Sequence, residues 1–201
     1  MLRRYVSLLG GIAVLVAGCG APGGPVRQGA EPVAEPVVVR PVVVAERGPE
    51  EMGRAILLLK EKYYPQAEAN FEEILKVRAD IPEAYFNLAW VRYQMGKYAG
   101  VTEAIRGGLE RRPNEIAAYA LLALSERELG QFADAEASYR AGLALAPDDQ
   151  RMLLNLGILY DLYLLKPQLA LQQYRRYQSL QKVPDTKVAG WIAVLERKEA
   201  K

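Results

Sequence analysis

The chain has 201 residues, 51% hydrophobic and 25% charged, which suits one folded domain with a real core and some trimmings. With no histidine and one cysteine, Cys19, it has no imidazole base, no Ser-His or Cys-His pair, no intrachain disulfide and no imidazole or thiolate metal site. Its 26 basic residues nearly balance 24 acidic ones, so no nucleic-acid partner is expected.

The first segment carries Arg3 and Arg4, then an apolar run from Tyr5 to Val16 and a small-residue ending. The run is too short to span a bilayer and reads as a secretory signal peptide over residues 1–18. Its ending, Leu15-Val16-Ala17-Gly18-Cys19, resembles the lipobox of bacterial lipoproteins. The resemblance implies cleavage before Cys19 and acylation of that cysteine, with membrane anchoring through the N-terminal lipid. Gly20, where an Asp would retain such a protein at the inner membrane, implies the outer membrane facing the periplasm. Cleavage would remove Arg3 and Arg4 and no acidic residue, so the 26 basic side chains fall to 24, equal to the acidic ones.

Residues 19–47 are rich in Pro, Gly and Val, with Pro32, Pro36 and Pro41 opposing a helix. They read as a disordered tether that reaches at most about 85 Å at roughly 3.1 Å per residue. Two alternative uses stay open. The Val37–Val39 and Val42–Val44 runs could add a strand to a partner's sheet edge, or the tether could fold back into a groove of its own domain.

From residue 48 onward the sequence repeats with a period of 34. Pro113 and Pro147 mark the period. Ala55, Ala89, Ala123 and Gly157 form a column of small residues; Gly96 and Gly130 form another. Phe71, Ile105 and Tyr139 align, as do Tyr64, Tyr98 and Phe132, and one extra residue near Lys166-Pro167 shifts the last repeat so that Ala170 and Tyr174 continue their columns. Each unit divides at its glycine into two stretches with apolar residues at i, i+3, i+4 and i+7, which predicts paired amphipathic helices. Glycine ends the first helix and proline follows the second.

These residues resemble the tetratricopeptide repeat, and the third unit carries the pattern most fully in Tyr119, Leu122, Ala123, Gly130, Phe132, Ala135, Tyr139 and Pro147. The resemblance implies an all-α fold, a tetratricopeptide α-solenoid of about four helix-turn-helix repeats over 48–183. A C-terminal capping helix is expected at 185–199. The first repeat departs most, with Lys62 where the pattern has glycine, and Gly108 and Gly142 replace an alanine. In such proteins the first helix of each repeat lines a concave groove. Carried over, the groove is lined by Met52, Ile56 and Leu59; by Phe86, Asn87, Trp90 and Tyr93; by Ala120, Leu124 and Arg127; and by Leu154, Asn155, Ile158 and Asp161. That lining is apolar, which suits an apolar ligand, with Asn87 and Asn155 placed to bond its backbone. It lacks the lysines and asparagine with which chaperone-binding relatives clamp a terminal carboxylate. The competing reading makes Phe86 and Trp90 core.

Catalysis has little to work with. Ser125, Ser138 and Ser179 lie inside predicted helices, and Glu72-Glu73 and Asp148-Asp149 read as solvated charge, with Asp148-Asp149 suited to opening a helix. No enzyme, cofactor or metal is expected. The sequence points to an adaptor that binds envelope assembly or transport proteins, in the manner of pilus or secretin pilotins, peptidoglycan-hydrolase adaptors or TonB-linked transport components. A self-assembling homo-oligomeric module is the second class.

Overall fold

The computed structural model describes residues 50–199, and the signal peptide, Cys19 and the tether lie outside them. Among the described residues the secondary structure is helical throughout: α1 (Glu50–Lys60), α2 (Tyr64–Val77), α3 (Pro82–Gln94), α4 (Tyr98–Arg111), α5 (Ile116–Glu128), α6 (Phe132–Leu145), α7 (Gln150–Ile158) with a π-helical turn (Leu159–Tyr163), α8 (Pro167–Ser179) and α9 (Thr186–Glu199). Consecutive helices pair as antiparallel hairpins, α1 with α2 through α7 with α8, and each hairpin stacks on the next.

Local chemistry sets the helix ends. Pro65, Pro82 and Pro167 occupy the first turns of α2, α3 and α8, where a missing N–H costs nothing. Asp149 caps α7 by accepting from the Met152 N–H at 3.0 Å, and Asp185 accepts from the Lys187 and Val188 N–H groups at the start of α9. Each first helix ends on a residue in left-handed conformation: Lys62 (φ 62°), Gly96 (φ 70°), Gly130 (φ 74°) and Leu165 (φ 53°). The next residue's N–H then returns to a carbonyl five back, Tyr63 to Leu58, Lys97 to Arg92 and Gln131 to Glu126. In the fourth hairpin the same closure runs from Lys166 to Tyr160, one residue longer. The extra residue expected near Lys166-Pro167 is thus absorbed just ahead of Leu165, in the π-helical turn.

The small-residue column is a packing requirement. Ala55, Ala89 and Ala123 are wholly buried, and a Cβ on Gly157 would fall 2.5 Å from the Tyr174 ring. The glycines that replace alanine have the same cause, since a Cβ on Gly108 would overlap the Phe86 ring and one on Gly142 the Met152 sulfur.

One column of first-helix residues latches neighbouring hairpins together. Arg92 donates to Glu68 Oε1 at 3.2 Å and Glu72 Oε1 at 2.8 Å on α2, and to the Gly100 carbonyl at 3.0 Å. Glu126, 34 positions on, is 2% exposed, accepts from Ser138 Oγ at 2.6 Å and pairs with Arg106 of α4 at 3.2 Å. Tyr160 completes the column, donating to Glu136 of α6 at 3.0 Å, which Lys166 also reaches at 2.9 Å. On the last hairpin, α9 buries Val188 and Leu195 and sets the Trp191 ring 5.4 Å from that of Tyr174.

Candidate partner-binding face

The first helices carry the expected groove residues, and most of them prove to be core. Met52, Ile56, Leu59, Phe86, Asn87, Leu124, Leu154, Asn155 and Ile158 are buried. Trp90, Tyr93, Ala120, Arg127 and Asp161 keep partial exposure. The reason lies in the number of neighbours: α3 packs against α1, α2, α4 and α5. Its sequence, Pro-Glu-Ala-Tyr-Phe-Asn-Leu-Ala-Trp-Val-Arg-Tyr-Gln, is apolar around most of its circumference, as is that of α5. Such helices are enclosed, whereas amphipathic ones sit at a surface. That pattern could have been read from the residues. The open apolar trough is thus narrowed to a seam.

The seam is aromatic. Trp90 stacks on Tyr93 with centroids 5.9 Å apart, and Tyr93 meets Tyr98 edge-on at 5.8 Å. Both Trp90 and Tyr93 also pack against the buried core. Further along, the Arg127 guanidinium lies 5.8 Å from the Tyr163 ring centroid, and Tyr163 tilts against Phe132 at 5.0 Å. Tyr163 escapes the periodicity, because it lies in the π-helical turn; Phe132 was visible as a repeat position but not as a neighbour of Tyr163. Exposed apolar residues also occur at the end of α5 (Leu129), in and just after the π-helical turn (Tyr163, Leu165) and in the first turn of α8 (Leu169). Asp161 lies in the π-helical turn.

Polar groups inside this region lack partners. Asn87, on α3, is fully buried with neither Oδ1 nor Nδ2 hydrogen-bonded. Tyr139, on α6, is fully buried with a free hydroxyl, and Arg127 keeps an unbonded, buried Nε. The Arg127 side chain is 12% exposed and its Nη2 donates to Glu128 at 2.6 Å. Burial works most strongly against the Arg127 charge, but the Glu128 hydrogen bond and the surrounding electrostatics together outweigh it and the guanidinium stays protonated. Burial also pushes the Tyr93 and Tyr139 hydroxyls above the ordinary phenol range, so both stay neutral donors. Each unbonded group carries a desolvation cost of about 1–3 kcal/mol.

The serines are structurally committed. Ser125 donates to the Leu121 carbonyl, Ser138 to Glu126 and Ser179 to the Arg176 carbonyl. Glu73 pairs with Lys76 and Glu72 with Arg92, while Asp148 pairs with Arg176.

Stacked helical hairpins with a small-residue column define an α-solenoid of repeats. Profiles of the tetratricopeptide repeat match residues 52–115 and 116–159, and the chain belongs to the tetratricopeptide repeat proteins. Similar solved structures include MamA 41-end from Desulfovibrio magneticus RS-1, at 17% identity and a TM-score of 0.67, covering 75% of this chain and 84% of that one. A thermophilic tetratricopeptide protein of Thermus thermophilus is similar at 19% identity and TM-score 0.55, covering 74% and 81%. The Yersinia enterocolitica type III secretion chaperone SycD, solved with a peptide of the translocator YopD, is similar at 19% identity and TM-score 0.54, covering 58% and 93%. At these identities the likeness is one of fold. No curated protein matches the sequence.

Proposed function

We propose that this chain is a scaffold that binds partner proteins along the inner seam of its solenoid and is held by lipid at Cys19 on the periplasmic face of the outer membrane. The observation that carries the binding reading is the Trp90–Tyr93 stack, partly exposed on the first-helix side of the solenoid in a chain that also exposes Leu129, Tyr163, Leu165 and Leu169. Large amphipathic aromatics at a surface are the side chains from which binding hot spots are made. A peptide complex of SycD shows that one protein of this fold holds a peptide. Support for anchoring comes from the sequence alone, the apolar run that ends on Leu15-Val16-Ala17-Gly18-Cys19. Pilus or secretin assembly, hydrolase recruitment and TonB-linked transport are the envelope roles that suit such a scaffold.

The test is photo-cross-linking in cells from positions 90 and 93, with positions 62 and 198 as surface controls. Distinct adducts from the seam alone are expected, and equal yields from all four positions would overturn the reading. For the anchor, Cys19→Ser should move the protein from the membrane to the soluble fraction and abolish labelling by a palmitate analogue.

A further inference from the structure

We infer that the valine run 42–44, which lies just ahead of the described residues, docks on the free end of the first hairpin. There it fills a slot between α1 and α2 that a tyrosine fills in the next two repeats. The inference concerns the end of the solenoid and does not rest on the seam.

The slot is a cavity of about 450 Å³ lined by Glu51 of α1 and by Asn70, Glu73, Ile74, Val77 and Arg78 on and just after α2. Its origin lies in the 34-residue register, in which position 51 corresponds to Tyr85 and Tyr119. In the second repeat the Tyr85 ring lies so close to the second helix that a Cβ on Gly107 would fall 2.7 Å from it, and the Arg111 guanidinium lies 4.7 Å from its centroid. In the third, Tyr119 packs beside Gly142 and its hydroxyl donates to the Pro113 carbonyl at 3.0 Å. The first repeat has a glutamate in place of the ring. A carboxylate suits the first turn of a helix but does not cover apolar surface, so Ile74 and the 82%-exposed Val77 line an open cavity.

Three observations name the occupant. The first is where the chain enters. Helix α1 begins at Glu50, one residue from Glu51, so the preceding segment starts at the edge of the cavity. Gly48-Pro49 is a turn-forming pair, and the six residues between Val44 and Glu50 reach about 20 Å at roughly 3.3 Å each, enough to reverse and return across it. The second is chemistry. Val42, Val43 and Val44 match the apolar floor, and Arg40 and Arg47 bracket them with positive charge, complementary to the Glu51 and Glu73 carboxylates of the lining. The third is that a repeat array needs both ends covered: α9 covers the last hairpin, whereas among the described residues no helix precedes α1. Covalent attachment holds the run at an effective concentration on the order of millimolar, so a contact too weak between separate molecules forms here.

The test uses the full chain with Cys19→Ser, which removes the one native cysteine. Val77→Cys then places a single thiol in the cavity, and Val183→Cys places one between α8 and α9 at a position 78% exposed. The thiol at 77 is expected to react with a maleimide dye about fivefold or more slowly than that at 183, because labelling must await release of the docked run. Val42→Ser, Val43→Ser and Val44→Ser together should bring the two rates level, with the rate at 183 and the helical circular dichroism unchanged. Val43→Cys combined with Val77→Cys should form an intramolecular disulfide under mild oxidation, and adding Glu51→Tyr, which restores the side chain of the following repeats, should lower its yield. A labelling rate at 77 that the triple serine replacement leaves unaltered overturns the docking. Protection that is lost on dilution, with disulfides forming between chains, overturns it in favour of a second copy in the slot.

Discussion

Leu165 holds a backbone conformation that a side chain other than glycine adopts at a cost of roughly 1–2 kcal/mol, and Lys62 does the same at the corresponding point of the first hairpin. Glycine fills the equivalent places at 96 and 130. Leu165→Gly and Lys62→Gly should therefore raise stability by about 0.5–1 kcal/mol each, since relief of strain outweighs the added freedom of the unfolded chain. The measurement is the urea midpoint, and a lower midpoint in both variants would show that the side chains contribute more than the strain costs. Two members of this column were legible in the sequence because they are glycines. The other two were hidden by their side chains, and only the backbone closures at Tyr63 and Lys166 reveal them.

Between elements, one position does different chemical work in each repeat. At 92, 126 and 160 the first helix meets its neighbours through an arginine network, a buried glutamate and a tyrosine hydroxyl. Burial pushes the Glu126 carboxyl above the ordinary carboxylate range, against the opposing pull of Ser138 and Arg106. Its folded form thus binds a proton more readily than its unfolded form, so stability rises as pH falls through the raised value and levels off below the ordinary one. In Glu126→Gln that increment vanishes. Wild type should gain on this variant as unfolding is compared from pH 8 down to pH 5, and a gap that widens in the variant's favour at low pH would contradict the assignment. Burial also works to raise Glu68, but the hydrogen bonds from Lys97 and Arg92 outweigh it and hold that carboxyl below its ordinary value, so its contribution runs the other way and fades in acid. The hairpins themselves were readable from the 34-residue period. The latches were not, because Arg, Glu and Tyr share no property that a repeat search registers.

At the scale of the described solenoid, the stack ends on α9, which packs on α8, sets Trp191 against Tyr174 and buries Val188 and Leu195. A repeat array needs such an end, since its last apolar face has no further repeat to meet. Ending the chain after residue 183 should lower stability by about 3–5 kcal/mol, given roughly 1.5–3 kcal/mol for each large apolar side chain re-exposed. Thermal unfolding measures it, and an unchanged midpoint would show that α9 is an appendage rather than a lid. The exposure of the residues that the sequence marked as a groove was not legible, because Phe86 and Leu124 fall in the expected lining columns and are nonetheless enclosed. Reading α3 and α5 as apolar on all sides would have told the seam from the trough.

The π-helical turn at Leu159–Tyr163 has a consequence for how this array can be lengthened. A 34-residue block from residue 80 to 113 or from 114 to 147 begins and ends at matching points of the superhelix, so duplicating either inserts a hairpin without disturbing those on each side. The fourth hairpin does not share that interchangeability. Its extra residue is taken up inside a helix and turns Tyr163 toward Arg127, so it fits only at the end where it stands, and growth of the array by copying is confined to its middle.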